Sequence, residues 1–137
     1  MVDLGSGAGF PGLPIALLHP ERKITLVESR ERGHHFQRAA VRELGIANAV
    51  LRLGRAEELR PEPHPLVTAQ AIASPRQAVA WMLPWAEPGG TLALPLSADQ
   101  EPPSSTEGVE EISVSHYQVP LGGPRRAVWL ARKRRTP

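Results

Sequence analysis

The apolar positions fall in short blocks punctuated by glycine, proline and charge. Met1-Val2-Asp3-Leu4 opens the chain as a brief apolar run and leads straight into a glycine-rich turn, Gly5-Ser6-Gly7-Ala8-Gly9-Phe10-Pro11-Gly12. Leu13 to Leu18 reads as a short helix closed by Pro20. Ile24-Thr25-Leu26-Val27-Glu28 is β-branched and apolar on both faces, the pattern of a strand buried in a parallel sheet. Ser29 is a candidate N-cap for a helix over 30–44. Phe36, Ala39, Ala40, Val41 and Leu44 are predicted to face inward on it, and Gly45 to stop it.

Ala49 to Leu53 reads as a third strand. The proline-rich segment 60–65 takes the place of a long helix after it. Leu66 to Ala69 is predicted as a fourth strand, with Ala71-Ile72-Ala73 continuing as a loop. Ser74-Pro75 starts a helix that runs to about Trp85, because proline is favourable at the first helical position. Pro88-Gly89-Gly90 is predicted as a turn, Thr91 to Pro95 as a fifth strand and 97–108 as a mobile polar loop. Glu111–Val119 and Arg126–Arg132 flank the turn Leu121-Gly122-Gly123-Pro124 and read as an antiparallel hairpin. Strands and helices alternate and a hairpin closes the chain. The pattern predicts a single α/β domain over 1–137: a doubly wound, Rossmann-like, mostly parallel sheet of seven strands.

Composition narrows the chemistry. The 137 residues suit one domain of ordinary size, and 41% hydrophobic residues suffice for a packed core. The absence of cysteine excludes disulfides, thiolate metal sites and thiol nucleophiles. The sequence shows neither an apolar run long enough to span a bilayer nor a signal peptide, so a cytoplasmic protein with no membrane partner is expected. Net charge is only +2, and the cations are almost all arginine, lysine occurring only at 23 and 133. His34 and His35 have no partners at metal-ligand spacing, so no metal is assigned. Trp81, Trp85 and Trp129 are read as core or core-edge residues.

The strand–glycine loop–helix at 2–18 carries the most information. In open α/β sheets ligands bind beyond the carboxyl ends of the strands, where glycines let the backbone approach closely. Glu28 ends the next strand, the place from which a carboxylate accepts hydrogen bonds from a ribose diol. The loop spacing is Asp3-x-Gly5-x-Gly7-x-Gly9, not that of a dinucleotide or P-loop motif. Asp3 would repel a pyrophosphate and attract a cation. S-adenosylmethionine, with a sulfonium, an ammonium and a ribose, fits that charge pattern better than NAD.

The stretch Asp3-Leu4-Gly5-Ser6-Gly7-Ala8-Gly9-Phe10-Pro11-Gly12-Leu13-Pro14 resembles motif I of the RsmG (GidB) family, which methylates N7 of a guanine in 16S ribosomal RNA. Leu26-Val27-Glu28-Ser29, Glu43–Asn48, Gly54-Arg55-Ala56-Glu57-Glu58, Ala69–Ser74 and Leu83–Gly90 resemble later family segments in order. The resemblance implies a class I S-adenosylmethionine-dependent methyltransferase acting on 16S ribosomal RNA or the small ribosomal subunit. It implies that Asp3, Gly5, Ser6, Gly7, Gly9 and Phe10 line the cofactor, that Glu28 binds its ribose, and that Ala56 and Glu57 lie by its adenine. Gln70 falls in the same cofactor-binding set, but the family has arginine there, and lysine where Pro95 stands. The family's N-terminal helical region has no counterpart in the chain. The uncovered first strand makes a homo-oligomer one expectation.

Methyl transfer to a guanine nitrogen bearing a lone pair and no proton needs no general base, so no catalytic residue is assigned. RNA contact is expected on basic surface: Arg30, Arg32, His34, His35, Arg38 and Arg42 on one helix, and Arg125, Arg126 and the tail 132–135 as a second cluster. Two other readings stay open. One is a non-catalytic nucleotide- or RNA-binding homologue, which the changes at Gln70 and Pro95 favour. The other is a small-molecule methyltransferase.

Overall fold

Seven strands belong to one mixed sheet in the computed structural model, which describes residues 1–70, 73–104 and 106–135. This is the α/β architecture that the apolar pattern predicts. The chain packs as two compact units, Met1–Pro61 and Glu62–Pro137.

The first unit holds β1 (Val2–Leu4), α1 (Gly12–Leu18), β2 (Ile24–Glu28), α2 (Glu31–Leu44) and β3 (Ala49–Leu53). β2 pairs in parallel with β1 on one side and β3 on the other. All five residues of β2 are buried, as its two-sided apolar pattern requires. Leu13 and Ala16 of α1 pack with Ile24, Leu26 and Ile46, and Ala40 and Val41 of α2 close over this cluster. Asn48 Nδ2 donates to the carbonyls of Ala16, His19 and Arg22 (3.0, 3.0 and 2.7 Å), taking up carbonyls at and beyond the end of α1.

Two sequence expectations fail on α2. The helix begins at Glu31 with Arg30 in the N-cap position, so Ser29 does not cap it; the Arg30 N–H is satisfied instead by Glu28 Oε1 at 3.0 Å. Phe36 and Leu44 do not face inward but are 56% and 57% exposed, whereas Gln37 is fully buried at 0%. The inward face is phased by Gly33 and Gln37, which sit against the glycine-rich loop, and Phe36 falls outside it. Leu44 lies on the last turn. The chain reverses at Gly45 (φ +63°), and Ile46 fills the core beyond it.

The second unit holds β4 (His64–Ala69), α3 (Pro75–Met82), a 3-10 turn (Leu83–Trp85), β5 (Ala86–Ser97), β6 (Val109–Gln118) and β7 (Arg125–Lys133). β4 and β5 are parallel, and β7 pairs antiparallel with both β5 and β6. Ser74 caps α3 by accepting from the Gln77 N–H, as predicted, but the helix gives way to the 3-10 turn at Leu83. β4 starts at His64, before the predicted Leu66, because the proline-rich segment is extended enough to join the ladder. Pro88-Gly89-Gly90 is not a turn. It lies inside β5, where pairing jumps from His64↔Ala86 to Leu66↔Thr91 and the surplus residues bulge.

After Ser97 the predicted loop makes hydrogen bonds at Gln100 and Pro103. Gln100 bonds back to Ser97 through its N–H and side chain, and Trp129 Nε1 donates to the Pro103 carbonyl at 2.9 Å. Trp85 and Trp129 are core residues, and Trp81 is half-buried. Ala71 and Ile72, expected as a loop, lie outside the described residues. No helix among the described residues is long and apolar enough to cross a membrane.

Candidate cofactor site

The register of the first unit brings its sequence-predicted residues to one edge. Leu4 pairs with Val27 and Glu28 with Leu53, so the carboxyl ends of β1, β2 and β3 align, and Gly5, Glu28 and Gly54 leave the sheet together. The glycine-rich loop is fastened to the tip of β2. The Val27 carbonyl accepts from the N–H groups of Gly5 (2.8 Å) and Ser6 (3.1 Å) and from the Ser6 hydroxyl (3.3 Å). Glu28 Oε2 accepts from the Gly7 N–H, while Oε1 accepts from the Arg30 N–H. The carboxylate expected to hold a ribose is thus oriented by two backbone donors, one from the loop and one from the start of α2.

Asp3 is the other carboxylate. It is completely buried, and its Oδ2 accepts from the Gly12 N–H at 3.0 Å, where α1 begins. Oδ1 has no partner. Burial pushes its carboxyl up to about 7; the Gly12 hydrogen bond opposes that rise and the Glu28 charge adds to it. A nearby positive charge would favour the ionised form of such a buried carboxyl.

Two glycines of the loop do different jobs. Gly9 (φ +96°) faces Leu13, whose Cδ1 would lie 2.4 Å from an added Cβ; the glycine lets α1 pack against the loop. Gly7 (φ +54°) has nothing within 4 Å of that position. A side chain is absent there and no atom of the described residues takes its place, which leaves room for a ligand against the backbone.

Gln37 and Gly33 hold the loop in place, and the sequence analysis missed both. Gln37 Nε2 donates to Ser6 Oγ and to the Gly7 carbonyl, both at 2.7 Å, while its Oε1 is buried without a partner. A Cβ on Gly33 would lie 3.1 Å from Glu28 Cγ and 3.2 Å from the Gly7 carbonyl oxygen. The available signal was a glycine inside a helix, four residues before a glutamine, with no local reason for either.

The remaining expected residues are placed as follows. Phe10 is 64% exposed on the loop. Ala56 and Glu57 lie in the turn after β3, where Glu57 is 3.8 Å from Arg55 and the Glu58 and Leu59 N–H groups bond the Arg55 carbonyl. Gln70 is exposed and directly follows β4 in the second unit. Among the described residues no group of three or more His, Asp or Glu is arranged to hold a metal ion.

The basic C-terminal segment is not a loose tail. Arg132 pairs with Glu111 at 2.7 Å, and Lys133 Nζ donates to the carbonyls of Leu83 and Ala86 (2.9 and 2.8 Å). Arg134 Nε donates to the Val109 carbonyl at 3.0 Å. The arginines of α2 are exposed on its outer face.

Residues 1–120 match the family GidB: rRNA small subunit methyltransferase G. A Ribosomal RNA small subunit methyltransferase G of Kineococcus radiotolerans is 46% identical over 94 residues, covering 67% of this chain and 37% of that protein. Another of the same name from Lactococcus lactis subsp. lactis is 31% identical over 150 aligned positions, covering 100% of this chain and 63% of that protein. This chain therefore spans well under the full length of both relatives. Among solved structures, M. jannaschii TYW2 in complex with AdoMet superposes with a TM-score of 0.73 at 10% identity, covering 97% of this chain and 68% of that one, which shows a shared fold.

Proposed function

Because the chain belongs to the rRNA small subunit methyltransferase G family, we propose that it transfers a methyl group from S-adenosylmethionine to N7 of a guanine in 16S ribosomal RNA, and does so in the cytoplasm. Its two units are read as parts of one methyltransferase domain. The observation that carries the reading is Asp3: a fully buried carboxylate with a free oxygen, beside a loop already clamped to Glu28. That arrangement suits a cationic nucleoside and opposes a pyrophosphate.

S-adenosylmethionine, when bound, supplies an activated methyl group on its sulfonium. Glu28 accepts the ribose hydroxyls with lone pairs that the Gly7 and Arg30 N–H groups leave free. Asp3 offsets the positive charge of the amino acid end. Gly5, Ser6, Gly7 and Gly9 line the ligand through the backbone, and the open space at Gly7 admits it. Phe10, Ala56, Glu57 and Gln70 are assigned to cofactor binding on the resemblance alone. Guanine N7 has no proton to lose, so the chain's task is to hold an unstacked purine in line, an orientation effect.

Gln70 favours a second reading, a homologue that binds but does not transfer, because an amide replaces the family's guanidinium and makes no bidentate charged contact. Isothermal titration with S-adenosylmethionine and S-adenosylhomocysteine, followed by tritium transfer to small subunits from a strain lacking the modification, separates the two. Binding with transfer to a guanine N7 supports the enzyme. Binding without transfer supports the second reading, and no binding by folded protein removes both.

A further inference from the structure

The structure divides the C-terminal basic cluster into a part held by ion pairs and hydrogen bonds and a part that is not. Arg132, Lys133 and Arg134 are occupied by Glu111 and by backbone carbonyls. Arg125 and Arg126, at the start of β7, are exposed, and neither guanidinium makes an ion pair or hydrogen bond among the described residues. They line a pocket of about 320 Å3 together with His116, Ser97 and Gln100.

The ladder explains how these residues meet. β7 runs between β5 and β6, so Arg126 is flanked by Ser97 on one side and Tyr117 on the other, while Ala127 is flanked by Leu96 and His116. Beyond Ser97 the chain folds back: the Gln100 N–H donates to the Ser97 carbonyl (3.2 Å), and the Ser97 N–H to Gln100 Oε1 (3.0 Å). That turn makes the third wall. The nearby carboxylate, Asp99, accepts from the Ser97 hydroxyl at 2.6 Å and is within reach of the Arg126 charge, but does not line the pocket. The lining carries two fixed positive charges and no negative one. Its volume is at the lower end of the range for small-ligand sites, and an arginine guanidinium matches a tetrahedral oxyanion by bidentate hydrogen bonds.

We propose that the pocket formed by Ser97, Gln100, His116, Arg125 and Arg126 grips a phosphate of the RNA backbone, a docking point separate from the residues assigned to the cofactor. This rests on the reading of RNA as the substrate. Such a contact positions the RNA without reading its sequence.

The test measures binding of a single-stranded 16S-derived RNA oligonucleotide to the whole chain by fluorescence anisotropy across a salt series. It compares the unaltered protein with Arg125→Ala/Arg126→Ala and Arg125→Lys/Arg126→Lys. The alanine pair is expected to weaken RNA binding at least fivefold and to lower the salt slope by about 0.7 for each phosphate lost. The lysine pair should keep the slope but recover only part of the affinity, and S-adenosylmethionine affinity should stay within twofold in both. RNA binding by the unaltered protein that is unchanged in the alanine pair overturns the pocket alone. No RNA binding by the unaltered protein overturns the pocket and the substrate reading together. Inorganic phosphate, followed through the arginine Nε–H resonances, checks the other source of this chemistry. Saturation of Arg125 and Arg126 by phosphate without any effect on RNA affinity overturns the RNA assignment in favour of a small-anion site.

Discussion

Gln37 Nε2 lies 2.7 Å from Ser6 Oγ, linking the middle of α2 to the loop that follows β1. The Ser6 hydroxyl passes the link on to the Val27 carbonyl, and the same amide nitrogen holds the Gly7 carbonyl. Gly7 in turn gives its N–H to Glu28. The loop is therefore gripped from both sides before any ligand arrives, which reduces the ordering cost of binding.

Gln37→Leu tests that grip. The change keeps approximate volume and removes both hydrogen bonds, leaving the Gly7 carbonyl without its side-chain donor. Chemical denaturation should show a loss of about 1–3 kcal/mol. Titration should show weaker S-adenosylmethionine binding at temperatures where the variant is fully folded. An affinity equal to the unaltered protein's would mean that the loop holds its shape without Gln37.

Glu28→Gln should lower S-adenosylmethionine affinity by about 1–3 kcal/mol, because a charged acceptor of the ribose hydroxyls is lost. Glu28→Ala should cost more, in folding stability as well, since the Gly7 and Arg30 N–H groups both lose their acceptor. Titration calorimetry and thermal unfolding on the two variants separate the ligand role from the loop-holding role.

Asp3 gives the protein a pH dependence of definite sign. Its carboxyl is raised from 3.8 to about 7 on folding, so between those values the folded chain binds a proton that the unfolded chain releases. Stability from this group is therefore full below about pH 4, falls as pH rises towards 7 and levels off above that. The gap amounts to at most about 4 kcal/mol. Urea unfolding from pH 4.5 to 8.5 should show this fall in the unaltered protein and a flatter profile in Asp3→Asn. A cationic ligand favours ionised Asp3, so binding near pH 7 should release protons. That release appears as a titration heat that changes with the buffer's ionisation enthalpy.

The two loop glycines should separate folding from binding. Gly9→Ala drives a methyl into Leu13 at a positive φ and is expected to cost about 2 kcal/mol or more in stability. Gly7→Ala meets no protein atom and should cost about 1–2 kcal/mol for its left-handed backbone alone. Its larger effect should be on S-adenosylmethionine affinity, because the methyl enters the open space beside the loop. Thermal melts paired with titrations would show the two variants ordered oppositely in stability and in binding.

The order of strands and helices, the glycine-rich turn and the acidic tip of β2 were all legible in the amino-acid sequence, because each depends on neighbours in the chain. A two-sided apolar run describes a buried strand wherever it lies, and closely spaced glycines after a strand describe a turn that can approach a ligand. The sequence also showed Asp3 as an acid beside that turn, on which the expectation of a cationic ligand rested. Other features were decided only when distant segments met. Which face of α2 is inward depends on Gly33 and Gln37 finding the Gly7 carbonyl, so a local count of apolar side chains chose Phe36 wrongly. Pro88-Gly89-Gly90 carries every local mark of a turn, yet pairing with β4 absorbs it as a bulge. The C-terminal cations look alike in a row. Only the strands beside them decide that Lys133 holds carbonyls and Arg132 holds a carboxylate, while Arg125 and Arg126 line a pocket. Local sequence sets conformational preference; the partner of a buried polar or charged group is set by what the fold places within 3 Å of it.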